Sequence, residues 1–203
     1  MVVNSEIQVL KLSDPRIFNY PFIYIAGHYK INFTDEEVKN LKSFIDRGGG
    51  VFFDDYGKGW TSMIKPPEGQ EAPKEEYFSD QVEKLLKTFY PDGEVKLLPK
   101  SHTIYKSPFG MPVRRPVHIK PEDYDPARDG VVQLSGGDPA DKDQVVGGCR
   151  IYLNGFYVKD RIIAFYSNAG QCVEGSLIRT SDPANQDRAF KLFTNMLLYM
   201  MTH

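Results

Sequence analysis

Two adjacent carboxylates and two histidines are the residues of this sequence best suited to chemistry. Asp54 and Asp55 follow the apolar run Val51–Phe53, and His28 and His102 follow two similar runs. A carboxyl group crowded by a second one has a raised pKa, and histidine titrates near neutral pH. Such groups serve as general bases, and histidine with aspartate binds several divalent metals. The cluster therefore suggests a hydrolase site, with His28, Asp54 and His102 as candidate metal ligands.

The same residues also fit a structural role. If the strand continues through Asp54 and Asp55, the two side chains point to opposite faces of the sheet. One or both would then hydrogen-bond to loop amides or to a helix N-terminus. The spacing of His28, Asp54 and His102 is nonlocal, and the sequence has no HExxH motif. The sequence alone therefore leaves the metal site and the structural role as alternatives.

Further polar candidates stand where other strands are expected to end. Gly27 closes one strand, and Tyr166 and Ser167 close another. In open parallel sheets, ligands bind outside the carboxyl ends of the strands, so these residues complete a candidate cleft. A serine or cysteine nucleophile on such a sheet stands in a GxSxG-type elbow, and neither GxSxG nor GxCxG occurs. The phosphate-binding patterns GxGxxG and GxxxxGK[ST] are also missing, so no cofactor is predicted beyond a possible divalent metal.

The elements that position these residues alternate between strand and helix. Pro21–Gly27 is a continuous apolar run ending in glycine, as in a strand buried on both faces. Thr34 and Glu37 form a capping box that predicts a helix start, and Gly48–Gly50 predict its end. The run Val51–Asp55 then gives a second strand. Strand, helix and strand with short connections indicate a parallel sheet.

The rest of the chain completes one predicted domain, residues 1–203, with a loop-rich excursion at about 107–148. Ser79–Phe89 reads as a helix, and 150–167 reads as two strands joined by a turn. The last helix begins near Pro183. Its predicted core-facing side chains are Phe190, Phe193, Leu197 and Met200.

Composition and charge exclude several classes of protein. The chain of 203 residues has a net charge of −2, so no general attraction to nucleic acid is expected. No apolar run is long enough to insert into a membrane, and no signal peptide is present in the given chain. Cys149 and Cys172 fit no metal spacing, and they are either one disulfide or two separate thiols.

With these residues in view, the sequence resembles a bacterial family known as domain of unknown function 4159. The resemblance covers about residues 14–201 and rests on the order and spacing of four segments. They are "YPFIYIAGHYKINFTDEEVKNLKSFIDRGGGVFFDDYG", "HTIYKSPFGM", "RIIAFYSNAG" and "AFKLFTNMLLYM".

The resemblance implies a three-layer α/β/α sandwich with a mostly parallel sheet. Its fold would be flavodoxin-like, as in class I glutamine amidotransferases, with Asp54, Asp55 and His102 at shared positions. It implies no established reaction, and it favours a periplasmic or exported location. Two departures stand out. Family members usually carry a further strand and helix before the predicted strand Glu6–Leu12, so this chain is expected to be a trimmed or processed product. The loop after Ser167 also differs from the family pattern.

The sequence does not decide whether the protein is an enzyme. Besides a purely structural subunit with partner contacts on the aromatic surface near Trp60, it supports two functional hypotheses. The first is a noncatalytic module of a bacterial envelope system that binds a small ligand or a protein, because the nucleophile elbow is missing. The alternative is a metal-assisted or general-base hydrolase that uses Asp54, Asp55, His28 and His102.

Overall fold

The computed structural model describes the strands and helices that frame the candidate cleft. The described residues are 8–27, 31–55, 78–111, 113–116, 120–123, 125, 131–133, 144–145, 150–151, 153–167 and 183–203. His28, Cys149, Cys172 and the residues between Asp55 and Phe78 lie outside them.

The described elements alternate much as the sequence predicts. The helices are α1 (Asp35–Asp46), α2 (Phe78–Phe89) and α3 (Pro183–Thr202). The strands are β1 (Phe22–Gly27), β2 (Gly50–Asp55), β3 (Glu94–Leu97), β4 (Val113–Pro116), β5 (Val131–Gln133), β6 (Gln144–Val145), β7 (Arg150–Ile151), β8 (Leu153–Val158) and β9 (Arg161–Ser167). Single 3-10 turns cover Pro15–Asn19, Thr103–Tyr105 and Pro121–Asp123.

Both ends of helix α1 are formed by the residues that the sequence indicates. The Thr34 hydroxyl accepts from the Glu37 N–H, and the Glu37 carboxylate accepts from the Thr34 N–H, so the predicted capping box forms. At the other end, Gly48 has a φ of 92°, a conformation that costs glycine little. The chain therefore leaves the helix and enters β2 within a few residues.

The main sheet has five strands in the order β1-β2-β9-β8-β3. β1, β2 and β9 are parallel neighbours, whereas β8 is antiparallel to both β9 and β3. The α/β class is thus confirmed, but a mostly parallel sheet is not, because two of the four pairings in this sheet are antiparallel. The turn at Lys159 and Asp160 causes the reversal, since a tight hairpin joins only antiparallel strands.

Although the sheet is mixed, most of its strands have their carboxyl ends at the same edge. β3 is antiparallel to β8, which is itself antiparallel to β9, so β3 runs in the same direction as β1, β2 and β9. Four of the five strands therefore have their carboxyl ends at one edge. Gly27, Asp55, Leu97 and Ser167 are the last residues of those strands.

The core lies on both sides of this sheet because alternate strand residues face opposite ways. On one side, Phe53 packs with apolar residues of α1 and α2, including Phe44 and Leu86. On the other side, Phe52 packs with α3 and the 3-10 turn at Thr103–Tyr105. All of β2 is buried. Asp54 and Asp55, the last two residues of this strand, are therefore enclosed by protein.

Two further expectations differ from the structure. Residues 8–12, the described part of the predicted strand Glu6–Leu12, form no strand. In α3, Phe190 is 54% exposed, so its predicted core position is wrong. The buried residues of this helix instead include Ala189, Leu192 and Met196.

A second, smaller sheet lies within the predicted excursion at about 107–148 and extends just beyond it. Its order is β6-β4-β5-β7. Among the described helices, none combines the length and apolar character needed to cross a membrane.

Candidate functional site

The strand register brings the predicted acids beside the end of β9. Asp54 pairs with Ala26 on one side and with Ser167 on the other, and Asp55 pairs with Gly27. Asp54, Asp55 and Ser167 are all completely buried. The strand ends thus place the predicted residues together, but enclosed by protein.

The Ser167 hydroxyl joins the two consecutive aspartates. It donates a hydrogen bond of 2.6 Å to Oδ1 of Asp54 and accepts one of 2.9 Å from the backbone N–H of Asp55. A serine hydroxyl has a single proton to donate, and here a carboxylate holds it. Ser167 therefore ties the end of β9 to the end of β2.

The second carboxylate oxygen of Asp54 also has a partner. The Tyr24 hydroxyl, from β1, donates a hydrogen bond of 2.9 Å to Oδ2 of Asp54. Hydrogen bonds to an ionised acceptor are stronger than those between neutral groups. Asp54 thus connects three neighbouring strands through the two hydroxyls of Tyr24 and Ser167.

Asp55 makes its bond on the opposite face of the sheet. Its Oδ2 accepts a hydrogen bond of 2.9 Å from the N–H of Ser79, in the first turn of α2. The N-terminus of a helix carries partial positive charge, so a carboxylate there is stabilised. The alternation of Asp54 and Asp55 predicted from the sequence is therefore realised, with Asp55 bound to a helix N-terminus.

Tyr166 also faces α2 rather than an open cleft. Its hydroxyl donates a hydrogen bond of 3.1 Å to Oε2 of Glu83. Burial, together with the negative charge and hydrogen bond of Glu83, raises the pKa of Tyr166 above its usual value. The phenol therefore stays protonated at neutral pH and fastens β9 to α2.

Gly27 has a packing role that the sequence did not reveal. A Cβ atom at this position would lie 2.4 Å from Cδ2 of Phe78, at the start of α2. Phe78 is itself buried and packs near Phe53. Glycine at the end of β1 therefore permits the close approach of α2.

His102 has different neighbours from the paired acids. Its Nδ1 accepts a hydrogen bond of 3.2 Å from the N–H of Ile104, and its ring lies 5.1 Å from that of Tyr199. Burial lowers the pKa of His102, and positive charge on His203 lowers it further. Among the described residues, its contacts lead to α3 and not to Asp54.

The predicted metal ligands Asp54 and His102 are already engaged in hydrogen bonds. Both Asp54 oxygens accept hydrogen bonds, and His102 is engaged through Nδ1 at the 3-10 turn. Within the described ranges, no group of three or more histidine, cysteine or acidic side chains is arranged to hold an ion. His28 lies outside those ranges, so the full set predicted from the sequence is not assembled by the described residues.

Several partners of the site were missed by sequence reasoning. They are Tyr24, Ser79 and Glu83. Tyr24 carries a usable signal, because its partner across the ladder is Phe52, two residues before Asp54 on the same face. A long side chain reaches such a diagonal neighbour. Ser79 and Glu83 carry no such signal, since their contacts depend on how α2 packs.

A cavity also lies away from the paired acids. A groove of about 600 Å³ lies beside α2. Its described lining consists of Asp80, Glu83, Lys84, Lys87 and Thr88. The hydrogen-bonded cluster of Asp54, Asp55 and Ser167 contributes nothing to this described lining.

Comparison with known proteins gives a family without a named activity. No curated protein matches the chain. A family model described as a domain of unknown function (DUF4159) matches residues 1–201, and the chain therefore belongs to that family.

Proposed function

We propose that this chain is a noncatalytic binding module, built on an amidotransferase-like, flavodoxin-type sheet that lacks the nucleophile. The parallel neighbours β1, β2 and β9 support such a fold, as do the helices that pack on both faces. The family resemblance supports a place in a bacterial envelope system. The partner would be a small ligand or, as argued below, a protein.

One observation carries the proposal: the hydroxyl and both aspartates at the strand ends are buried and bonded to one another. A nucleophile must be accessible to its substrate. The Ser167 proton is held by Asp54, and both residues are fully buried. Asp55 is bonded to the start of α2. These groups hold the strand ends together instead of facing a substrate.

The exposed face of α3 supports binding of a protein in particular. Phe190, Leu198 and Met201 are 54%, 40% and 57% exposed and lie on one side of the helix, at spacings of eight and three residues. Leu198 and Met201 are neighbours on this face, and contiguous exposed apolar patches are typical of interaction surfaces. Small ligands bind in concave pockets, whereas an outward helix face suits a protein partner.

Turnover assays test the noncatalytic part of the proposal. The purified chain would be incubated with L-glutamine, p-nitrophenyl acetate and p-nitrophenyl phosphate, with and without Mg²⁺, Mn²⁺ and Zn²⁺. We expect no turnover above that of heat-denatured protein. Turnover that disappears in folded Asp54→Asn or His102→Ala protein would overturn the proposal and favour the hydrolase alternative.

Surface variants test the binding part. A protein captured from the native source would be identified, purified and titrated against the chain. We expect Phe190→Ser and Met201→Ser to weaken binding, while Val9→Ser, at another exposed apolar position, leaves it unchanged. Equal binding by all three variants would contradict a role for the α3 face.

A further inference from the structure

The end of α3 and the segment after β3 meet through three aromatic rings. Tyr199 stands between two histidines: its ring centroid is 5.1 Å from that of His102 and 4.3 Å from that of His203. The rings of Tyr199 and His203 are nearly parallel, at 5°. Phe165 from β9 lies 6.1 Å from Tyr199. Two titratable imidazoles therefore share one aromatic neighbour.

His102 acts as a hydrogen-bond acceptor in this arrangement. Its Nδ1 accepts from the N–H of Ile104, so the proton of the neutral ring must be on Nε2. Protonation places a hydrogen on Nδ1 as well, and the imidazolium has no acceptor left. The bond to Ile104 is therefore lost whenever His102 becomes charged.

This bond begins a segment that is fastened to α3. Ile104 is fully buried, and its carbonyl accepts a hydrogen bond of 2.8 Å from Nδ2 of Asn195. The same Asn195 side chain accepts from the N–H of Phe109 and donates to its carbonyl. Met111 then donates to the carbonyl of Tyr105. Residues 102–111 thus form one hydrogen-bonded segment that begins at His102. Asn195 of α3 binds this segment to the helix.

We propose that His102 is a pH-sensitive latch, whose protonation breaks the bond to Ile104 and loosens residues 102–111 from α3. The groups that face it are Tyr199 of α3 and His203, the residue after that helix. Positive charge on His203 repels a charged His102. Acidification thus removes an acceptor and adds a repulsion at the same contact.

The direction of the pH effect follows from the lowered pKa of His102. The unfolded chain binds a proton to this residue at higher pH than the folded chain does. The fastened state is therefore most stable above the ordinary histidine pKa, about 6.5. Its stability decreases as pH falls below that value. The loss levels off below the folded pKa, where both states are protonated.

Hydrogen exchange measured on the whole chain tests the latch. Protection of the amides of Ile104, Tyr105 and Met111 would be compared at about pH 7.5 and about pH 5, after correction for intrinsic exchange. We expect protection of these three amides to fall at the lower pH, because protonation of His102 removes the acceptor of the Ile104 N–H. Protection in α1, measured at Leu41 and Phe44, should change much less.

A matched variant separates the proton from the shape of the side chain. In His102→Asn, the amide oxygen takes the place of Nδ1 as acceptor but does not titrate. We expect normal protection at the higher pH and no fall at the lower one. His203→Asn should keep the fall but reduce it, because only the repulsion is removed.

An NMR titration of the unaltered chain gives a second test that needs no variant. The amide resonance of Ile104 should shift with the same midpoint as the His102 ring resonances. Different midpoints, or an equal loss of protection in His102→Asn, would overturn the proposal. The latch stands apart from the proposed binding function, because its readout is the protection of 102–111 alone.

Discussion

Ser167 donates a hydrogen bond of 2.6 Å to the buried carboxylate of Asp54 and accepts one from the N–H of the next residue, Asp55. Ser167→Ala leaves a buried carboxylate oxygen and a buried N–H without this partner. An unsatisfied buried group costs about 1–3 kcal/mol, so for two groups we expect a loss of roughly 2–6 kcal/mol in the free energy of unfolding. Urea denaturation measures it.

The control for this change is Thr194→Ala, which also removes one hydroxyl. The Thr194 hydroxyl bonds to the carbonyl of Phe190 at an exposed position of α3. Its loss should alter stability by less than about 0.5 kcal/mol. Similar losses in both variants would contradict a special role for Ser167.

Tyr24 and Ser167 should act together, because they occupy the two oxygens of one carboxylate. Tyr24→Phe removes the donor to Oδ2 of Asp54, and we expect a loss of about 1.5–3 kcal/mol. The loss in the double variant with Ser167→Ala should differ from the sum of the single losses by about 0.5 kcal/mol or more. Simple additivity would show that the two bonds are independent.

Gly27→Ala tests whether this candidate cleft residue is present for packing. The added methyl group would lie 2.4 Å from the ring of Phe78, so the buried ring must move. Overpacking of this kind costs roughly 1–3 kcal/mol. Gly110→Ala is the matched control, since a Cβ there meets nothing within 4 Å. We expect the control to stay within about 0.5 kcal/mol of the parent chain.

The free energy of unfolding at acidic pH should depend on Asp46. A side-chain hydrogen bond from Lys42, and a second one from Tyr90, lower the pKa of Asp46 below its ordinary value of 3.8. A lowered carboxyl pKa contributes stability above the unfolded value, and this contribution disappears as pH falls through the folded value. The free-energy difference between the parent chain and Asp46→Asn should therefore shrink below pH 3.8.

Urea denaturation at several pH values measures this difference. The group is largely exposed, so the effect should be small and should weaken in high salt. Tyr90→Phe removes the second donor and should reduce the difference further. A difference that stays constant with pH would show that the Asp46 bonds contribute nothing.

Sequence reasoning succeeded where local chemistry fixes the structure. The ends of α1 were predictable because Thr34, Glu37 and Gly48 satisfy backbone requirements within a few residues. The opposite directions of Asp54 and Asp55 followed from strand alternation alone. That the acids would lie near Ser167 followed from the shared edge of parallel strands.

The sequence did not predict which side chains are buried where one apolar pattern is compatible with two packing arrangements. Apolar residues lie close together in the middle of α3, so Phe190 and Leu192 both fit a helical stripe, and only the packed sheet decides that Leu192 is buried. The same limit applies to His102. The sequence places His102 shortly after a strand. Its contact with Tyr199, however, depends on the position of α3.

The pairing of β2 with β9 has a consequence for folding and for variation in length. Asp54 and Ser167 are 113 positions apart, so their bond closes a very long loop. The entropy of closing a loop grows slowly, and doubling its length adds only about 0.6 kcal/mol. The segments that connect the intervening helices and strands can therefore gain or lose residues while the Asp54–Ser167 bond survives. Formation of that bond must instead be slow, because distant segments have to meet before they gain any contact energy.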